Sequence, residues 1–324
     1  MTTNQSHFRH EAAVAERPGR VVNESPAAEP PRSRTWGDAV KDAVFFVLLY
    51  CGYVPLRDAW LSLIGRSRAV VVYYHRIGDC DPLSKPAADF RRDLEHLKRR
   101  YECISLAELC RRLKGGKAMR RRSVAVTFDD GYRDNLTQAL DPLLAAGVPA
   151  TFFVATGFID TRRQFPHDQR DGARVPRPNL TWRDLALMQA AGFEIGSHTV
   201  DHVNLAAADG PTVRRQIKDS LAALDRELGR RPRAFSFPWG KPADVPSDAM
   251  TAARDAGYYA VASAFGGANR RTADPFHIRR VDVGNGHLSS LAIRARIAGF
   301  DPDYLRLRVR GMLSRRPIAA VSEP

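Results

Sequence analysis

An α/β fold with parallel strands is what the sequence predicts, on three observations. Apolar, β-branched runs of strand length recur seven times between residues 69 and 283. Most intervals between them carry apolar residues at helical spacing, and that alternation builds a parallel sheet or barrel. Residues capable of chemistry gather directly after the runs, the end at which α/β folds collect their sites. Periodicity alone leaves barrel closure open.

Taken in order, residues 1–40 form a basic, Pro-rich extension with almost no apolar periodicity, expected to be disordered. No cleavable signal peptide is recognised, because an apolar stretch would have to follow a basic start closely. Residues 41–66 are apolar to amphipathic, beginning with Ala43–Val54. That run is short for a bilayer span, and Pro55, Arg57 and Asp58 interrupt its continuation to Ile64. Three readings stay open: a helix packed on the domain, a helix in peripheral contact with a membrane, or an uncleaved anchor. Phe45, Phe46, Tyr50, Tyr53 and Trp60, followed by Arg57, Arg66 and Arg68, keep the membrane reading in view.

The main domain is expected over 67–300, with a tail at 301–324. Its strand runs are 69–74, 123–128, 150–154, 193–196, 234–237, 258–262 and 278–283. Leu94, Leu97, Leu106, Leu109 and Leu113 suit two helices before the second run. Leu136, Leu140, Leu143 and Leu144 suit another, stopped at Gly147. Thr181 reads as an N-cap and Gly192 as the closing residue of a helix over 182–191. Val213, Ile217, Leu221, Leu224 and Leu228 draw an apolar helix face that ends at Gly229. The segment 157–179 holds Pro166, Pro176 and Pro178 after a strand, and a loop of that length is expected to cover a site.

Composition narrows the classes of function. The chain of 324 residues has a formal net charge of +14, in scattered doublets such as Arg91-Arg92 and Arg214-Arg215 and the triplet Arg120–Arg122. A nucleic-acid stripe would be more concentrated and interleaved with aromatics, so no nucleic-acid partner is expected. Attraction to an anionic membrane surface or an acidic glycan stays open. Four separated cysteines with no C-x-x-C pair read as reduced thiols.

The chain's chemistry centres on Val124–Tyr132. A buried-strand pattern ends in Asp129-Asp130-Gly131, and neighbouring strand side chains point to opposite faces unless the chain is turning there. Asp-Asp-Gly alone reads equally as a surface turn. A partner appears after another strand, in His198-Thr199-Val200-Asp201-His202. Two histidines at i and i+4 share a face if that stretch is helical, which suits one divalent metal. Imidazole, imidazole and carboxylate with an open position is a hydrolytic metal set, and a second carboxylate can act as base.

Those residues resemble the NodB-homology polysaccharide deacetylases, carbohydrate esterase family 4. Thr127–Gly131 is similar to the family's first motif and His198–His202 to its second. The likeness extends through Tyr132–Asn135, Pro149–Val154 and Phe235–Gly240, over roughly residues 69 to 285. The resemblance implies an irregular (β/α)7 barrel and removal of N-acetyl groups from N-acetylglucosamine-type sugars in a glycan or glycolipid. It implies Asp129 as general base, and Asp130, His198 and His202 as ligands of a metal, most often zinc, with cobalt or nickel as alternatives. His75, after the first strand, looks like the general acid of the exopolysaccharide-type branch, and equally suits a half-buried histidine bonding a loop carbonyl. Trp239 in the turn with Pro238 is implied at the oxyanion and sugar groove, with Tyr132 nearby, although plain packing explains a tryptophan as well.

The third family motif departs from its pattern: Ser236-Phe237-Pro238-Trp239-Gly240 lacks the arginine that steadies the catalytic aspartate. Arg280 on the last strand is a candidate to replace it, and a surface arginine is the bland alternative. Asp134 and Asn135 read as a helix-start cluster. Two other functions stay in view. One is an amidase or deformylase on a lipid-linked sugar or small amide; the other is a non-catalytic glycan binder using Trp239 and loop 157–179. Residence in the cytoplasm or at its membrane face is expected.

Overall fold

The structure is a computed structural model, describing residues 36–65, 68–78, 84–116, 122–170, 177–231, 233–284 and 288–313. Eight parallel strands run in chain order: β1 (Ala69–Tyr74), β2 (Glu102–Cys103), β3 (Ser123–Phe128), β4 (Ala150–Val154), β5 (Glu194–Ser197), β6 (Ala234–Ser236), β7 (Ala260–Ser263) and β8 (Ile278–Asp282). β1 pairs with both β8 and β3, so seven strands close a ring. The two-residue β2 sits on the N-terminal end of β3, on the side that β4 takes further along. The expected (β/α)7 barrel is therefore present. Barrel closure removes free sheet edges and leaves β3 and β4 buried at every position, which is why both read as largely apolar runs without alternation.

All seven expected strands exist. β5 starts one residue later than its apolar signal and β7 two residues later, and β2 is too short to have left any. Helices α3 (Ala87–Arg100), α4 (Leu106–Lys114), α5 (Leu140–Ala146), α6 (Pro166–Arg170), α7 (Trp182–Ala190), α8 (Gly210–Leu228) and α9 (Ser247–Ala256) fill the intervals between strands. α7 starts on a full capping box, with Thr181 and Asp184 each accepting from the other's backbone N–H at 3.0 Å. The main core stacks Phe128 on Phe152 at 4.7 Å, with Tyr74 and Phe90 beside them.

Two helices, α1 (Trp36–Tyr50) and α2 (Tyr53–Leu63), precede the barrel. α1 begins inside the 1–40 stretch expected to be disordered; residues 1–35 lie outside the described set. Leu49 and Val54 are buried against α10 (Ser290–Ile297), and Asp42 accepts a 2.9 Å hydrogen bond from Ser289. The stretch 301–324 is not only a tail, since α11 (Pro302–Leu313) occupies its first half. Cys51, Cys103 and Cys110 are free thiols, and Cys80 lies outside the described residues.

Candidate active site

The site is built at the C-terminal ends of the barrel strands, around a cavity of about 310 Å³. Tyr73 and His75 come from the end of β1, Asp129, Asp130 and Tyr132 from the turn after β3, and His198 and His202 from the loop after β5. Trp239 follows β6, and Arg280 and Asp282 lie on β8. The β3 turn sends the two aspartates apart. Asp130 takes a positive φ of 75° and Gly131 one of 98°. A Cβ at Gly131 would stand 3.2 Å from Val154, so glycine is required there by both conformation and space.

Asp130, His198 and His202 are all buried, and one potential ligand atom from each lies within 4.8 Å of the others. Neither oxygen of Asp130 has a hydrogen-bond partner. What faces them is imidazole nitrogen: His202 Nε2 at 3.1 Å and His198 Nε2 at 3.5 Å from Oδ1. A buried carboxylate left in that condition is costly unless a cation completes it. His198 donates from Nδ1 to the Ser236 carbonyl at 2.8 Å, which leaves Nε2 to face inward with its lone pair. The donor set fits a divalent metal.

The histidine pair does not sit on a helix. Thr199 and His202 both have positive φ (67° and 52°), and the His202 N–H bonds Thr199 Oγ1 at 3.0 Å. Gln216, buried on α8, accepts from the Val200 and Asp201 N–H groups at 2.9 Å each and donates to Asp201 at 2.8 Å. A turn fastened from outside thus brings the imidazoles together. Among the described residues, four of the five non-glycine positive φ values belong to Asp130, Thr199, His202 and Trp239. Strain of this kind persists where surrounding structure over-determines it, and it concentrates at functional sites.

Asp129 has a different partner. Arg280 donates to its carboxylate through both terminal nitrogens, at 2.7 and 2.8 Å, and also reaches Ser236 Oγ at 2.7 Å and the Ser263 carbonyl at 3.2 Å. The guanidinium is 1% exposed, which ends the surface-arginine alternative. Ser236 occupies the place where the family motif has arginine, and its small side chain leaves room for Arg280 to enter from β8. Burial pushes the Asp129 pKa up; Arg280 and His198 outweigh it, and the carboxyl lies below its ordinary value. Asp130 follows the same pattern, with burial opposed by His202, and ends well below the usual carboxylate range. Burial takes His198 down to about 4 despite the neighbouring aspartates. At neutral pH the set is two carboxylates beside a neutral His198, the protonation states metal binding requires.

His75 lines the cavity half-buried, its ring edge-on to Tyr73 at 5.5 Å. Asn135 is buried and donates to the His75 carbonyl at 2.8 Å, so the presumed helix-start residue fixes the backbone of the candidate acid. Trp239 packs 4.8 Å from the His202 ring, with its own ring partly open to the cavity. The other two residues expected near the substrate are placed differently from each other. Pro238 is buried and builds the turn, accepting from Gly240 N–H at 2.6 Å, without lining the cavity. Tyr132 lines the cavity, but its hydroxyl is committed to Asp168 at 2.7 Å and lies 2.9 Å from His167 Nε2.

That pairing shows what sequence reasoning missed. His167, on the short α6, stands 3.6 Å from Asp130 Oδ2 and walls the cavity. Its neighbour Asp168 is buried and held by Tyr132, Arg76 (2.8 Å) and Arg177. A histidine beside Pro166 in a loop expected to cover a site was the available signal. Burial, opposed by Asp130, takes His167 to about 4. Residues 171–176 of that loop lie outside the described set.

A closed parallel barrel with a buried Asp-His-His set and a second, arginine-clamped carboxylate at its strand ends has the architecture of a barrel enzyme. Residues 116–261 match the sequence model of the polysaccharide deacetylase family. The matched stretch stops short of β1 and β8, the strands associated with His75 and Arg280. YxkH of Bacillus subtilis (strain 168) is 25% identical over 230 residues, 71% of this chain and 76% of that protein. Among solved structures, the Streptococcus pyogenes deacetylase PplD in complex with acetate aligns with a TM-score of 0.60 at 21% identity, covering 72% of this chain and 99% of its own. IcaB from Ammonifex degensii aligns with a TM-score of 0.62 at 22% identity, covering 72% and 97%. Both share the fold.

Proposed function

We propose that the chain is a metal-dependent hydrolase that removes N-acetyl groups from N-acetylglucosamine-type sugars in a glycan. The observation that carries this reading is the pairing, in one cavity, of an unpartnered buried Asp130 facing two imidazoles with an Asp129 held by Arg280. The match of residues 116–261 to the polysaccharide deacetylase family and a fold shared with a deacetylase solved with acetate support the same chemistry.

Asp130, His198 and His202 would hold the metal, and three nitrogen and oxygen donors with an open position favour zinc. Bound there, a divalent metal supplies the Lewis acidity that polarises an amide carbonyl and makes water a competent nucleophile at neutral pH. Asp129 takes the proton from the attacking water; Arg280 keeps that carboxylate ionised and fixed in direction. His75, across the same cavity, returns a proton to the departing sugar amine. The Trp239 N–H, in a turn tightened at Gly240, is the donor assigned to the oxyanion, and its ring forms a wall for the sugar. Acetate and a free amino sugar result. The strand carrying His75, outside the matched family stretch, favours the exopolysaccharide-type branch.

The test is acetate release from N-acetylglucosamine oligomers, with formate release followed in parallel on formylated analogues. Acetate release abolished by chelator and restored by zinc is expected. Turnover unaffected by chelator, or confined to formyl amides, would overturn the reading.

A further inference from the structure

A second region calls for a partner, at the other end of β1 from His75. Among the described residues, eleven of the fifteen exposed large apolar side chains belong to α1, α2 and Ile64, which follows them. Leu56, Trp60 and Leu63 keep helical spacing on α2 and are 72%, 59% and 85% exposed. The helices are nonetheless anchored from behind: Leu49 and Val54 pack on α10, and Arg294 donates to the Tyr50 hydroxyl at 2.9 Å. An apolar face of this extent on a docked element marks an interaction surface.

Beside it lies a cavity of about 360 Å³, lined by Trp60, Leu61, Arg68, Arg270, Arg271 and Thr272. Among the described residues no carboxylate lines it. The guanidinium groups of Arg68 and Arg270 make no hydrogen bond or ion pair among the described residues, and Arg271 reaches only the Gly116 carbonyl at 3.4 Å. Burial, and then the charge of Arg270, lower the pKa of Arg68. Three guanidinium groups lining one cavity form a seat for phosphate.

We infer that this face docks on an anionic phospholipid membrane, with α1 and α2 lying in the interface and Arg68, Arg270 and Arg271 seating lipid phosphates. The charge of the cavity selects the occupant: a second copy would oppose arginines with arginines. Residues 1–35 contain only five large apolar residues (Met1, Phe8, Val14, Val21 and Val22), too few to cover eleven. By length and composition Val40–Leu63 can cross a bilayer. The helix is broken, however, where Gly52 takes φ 115°, into pieces of 15 and 11 residues, each short of the roughly 20 a span needs. Tyr50, Tyr53 and Trp60 suit the headgroup level. Arg68 precedes β1 and His75 follows it, so docking leaves the catalytic cavity open. The inference does not rest on the reaction proposed above.

The experiment is co-sedimentation of the full chain with phosphatidylcholine vesicles, with and without phosphatidylglycerol. Binding is expected at least about tenfold tighter to the anionic vesicles, falling steeply with salt. Arg270→Glu with Arg271→Glu should weaken it at least about tenfold, and Trp60→Ser with Leu63→Ser should weaken it too. Neither pair should shift the thermal midpoint in the absence of lipid. Three outcomes would overturn the inference: equal binding to neutral vesicles, indifference to the charge reversals, or a lipid-free dimer that the Trp60 and Leu63 changes dissolve. Extraction from native membranes by detergent but not by salt would point to a spanning helix and overturn it as well.

Discussion

Replacing Arg280 by methionine removes the guanidinium that meets both oxygens of Asp129 and leaves hydrocarbon of similar length. Asp129 stays buried, with no cation at 2.7–2.8 Å to compensate it, and Ser236 Oγ and the Ser263 carbonyl lose a donor. Breaking a buried pair from one side costs about 3–5 kcal/mol, a large share of the ~5–15 kcal/mol that holds a domain together. Pairing Arg280→Met with Asp129→Asn removes the stranded charge, so the double variant should recover much of the loss. Urea unfolding of the two single variants and the double at one metal concentration gives the coupling, expected at about 2 kcal/mol or more. A loss under about 1 kcal/mol with coupling near zero would refute the argument that Arg280 holds Asp129. Arg280→Lys should lie between, since an ammonium cannot match the bidentate geometry.

Other outcomes are expected from the same geometry. Asp129→Asn should retain metal by elemental analysis yet lose turnover about 10²–10⁴-fold in steady-state acetate release. His198→Ala should lose both metal and turnover while the barrel's circular dichroism is kept, since His198 lies after β5 rather than inside it. Glu194 tests the electrostatics away from the site. Burial raises its pKa, opposed by hydrogen bonds from Tyr259 and Thr151 and by Arg233. The folded state then binds its proton more tightly than the unfolded chain. Its contribution is complete below about pH 4.3 and is lost as pH rises through the folded value. Unfolding measured at about pH 4 and about pH 7 should therefore show wild type losing ground to Glu194→Gln at the higher pH; a constant difference would contradict the assignment.

Much of the barrel was legible because its strands are buried on both faces and read as apolar runs at helix-spaced intervals. β2 was not, since two residues carry no periodicity. The metal set was visible through residue type and position after strands. Its conformation was hidden, because the spacing of His198 and His202 is shared by a helix and by the left-handed turn that actually holds them, and Thr and His do not advertise positive φ as glycine does. Arg280 could be named from sequence as a candidate; only the eight-strand register brings it across β1 and toward β3 to Asp129. His167 and the Asp168 cluster depend on how a loop folds back over the barrel, where no periodic signal operates. The exposed face of α1 and α2 was legible as apolar, but its outward orientation was not.

Stoichiometric metal titration of the metal-free protein tests the central claim most directly, with acetate release from N-acetylglucosamine oligomers as the readout. Activity should rise linearly with added zinc and level off at about one ion per chain, as one Asp-His-His set requires. Full acetate release before any zinc is added, or no response after several equivalents, would contradict the account.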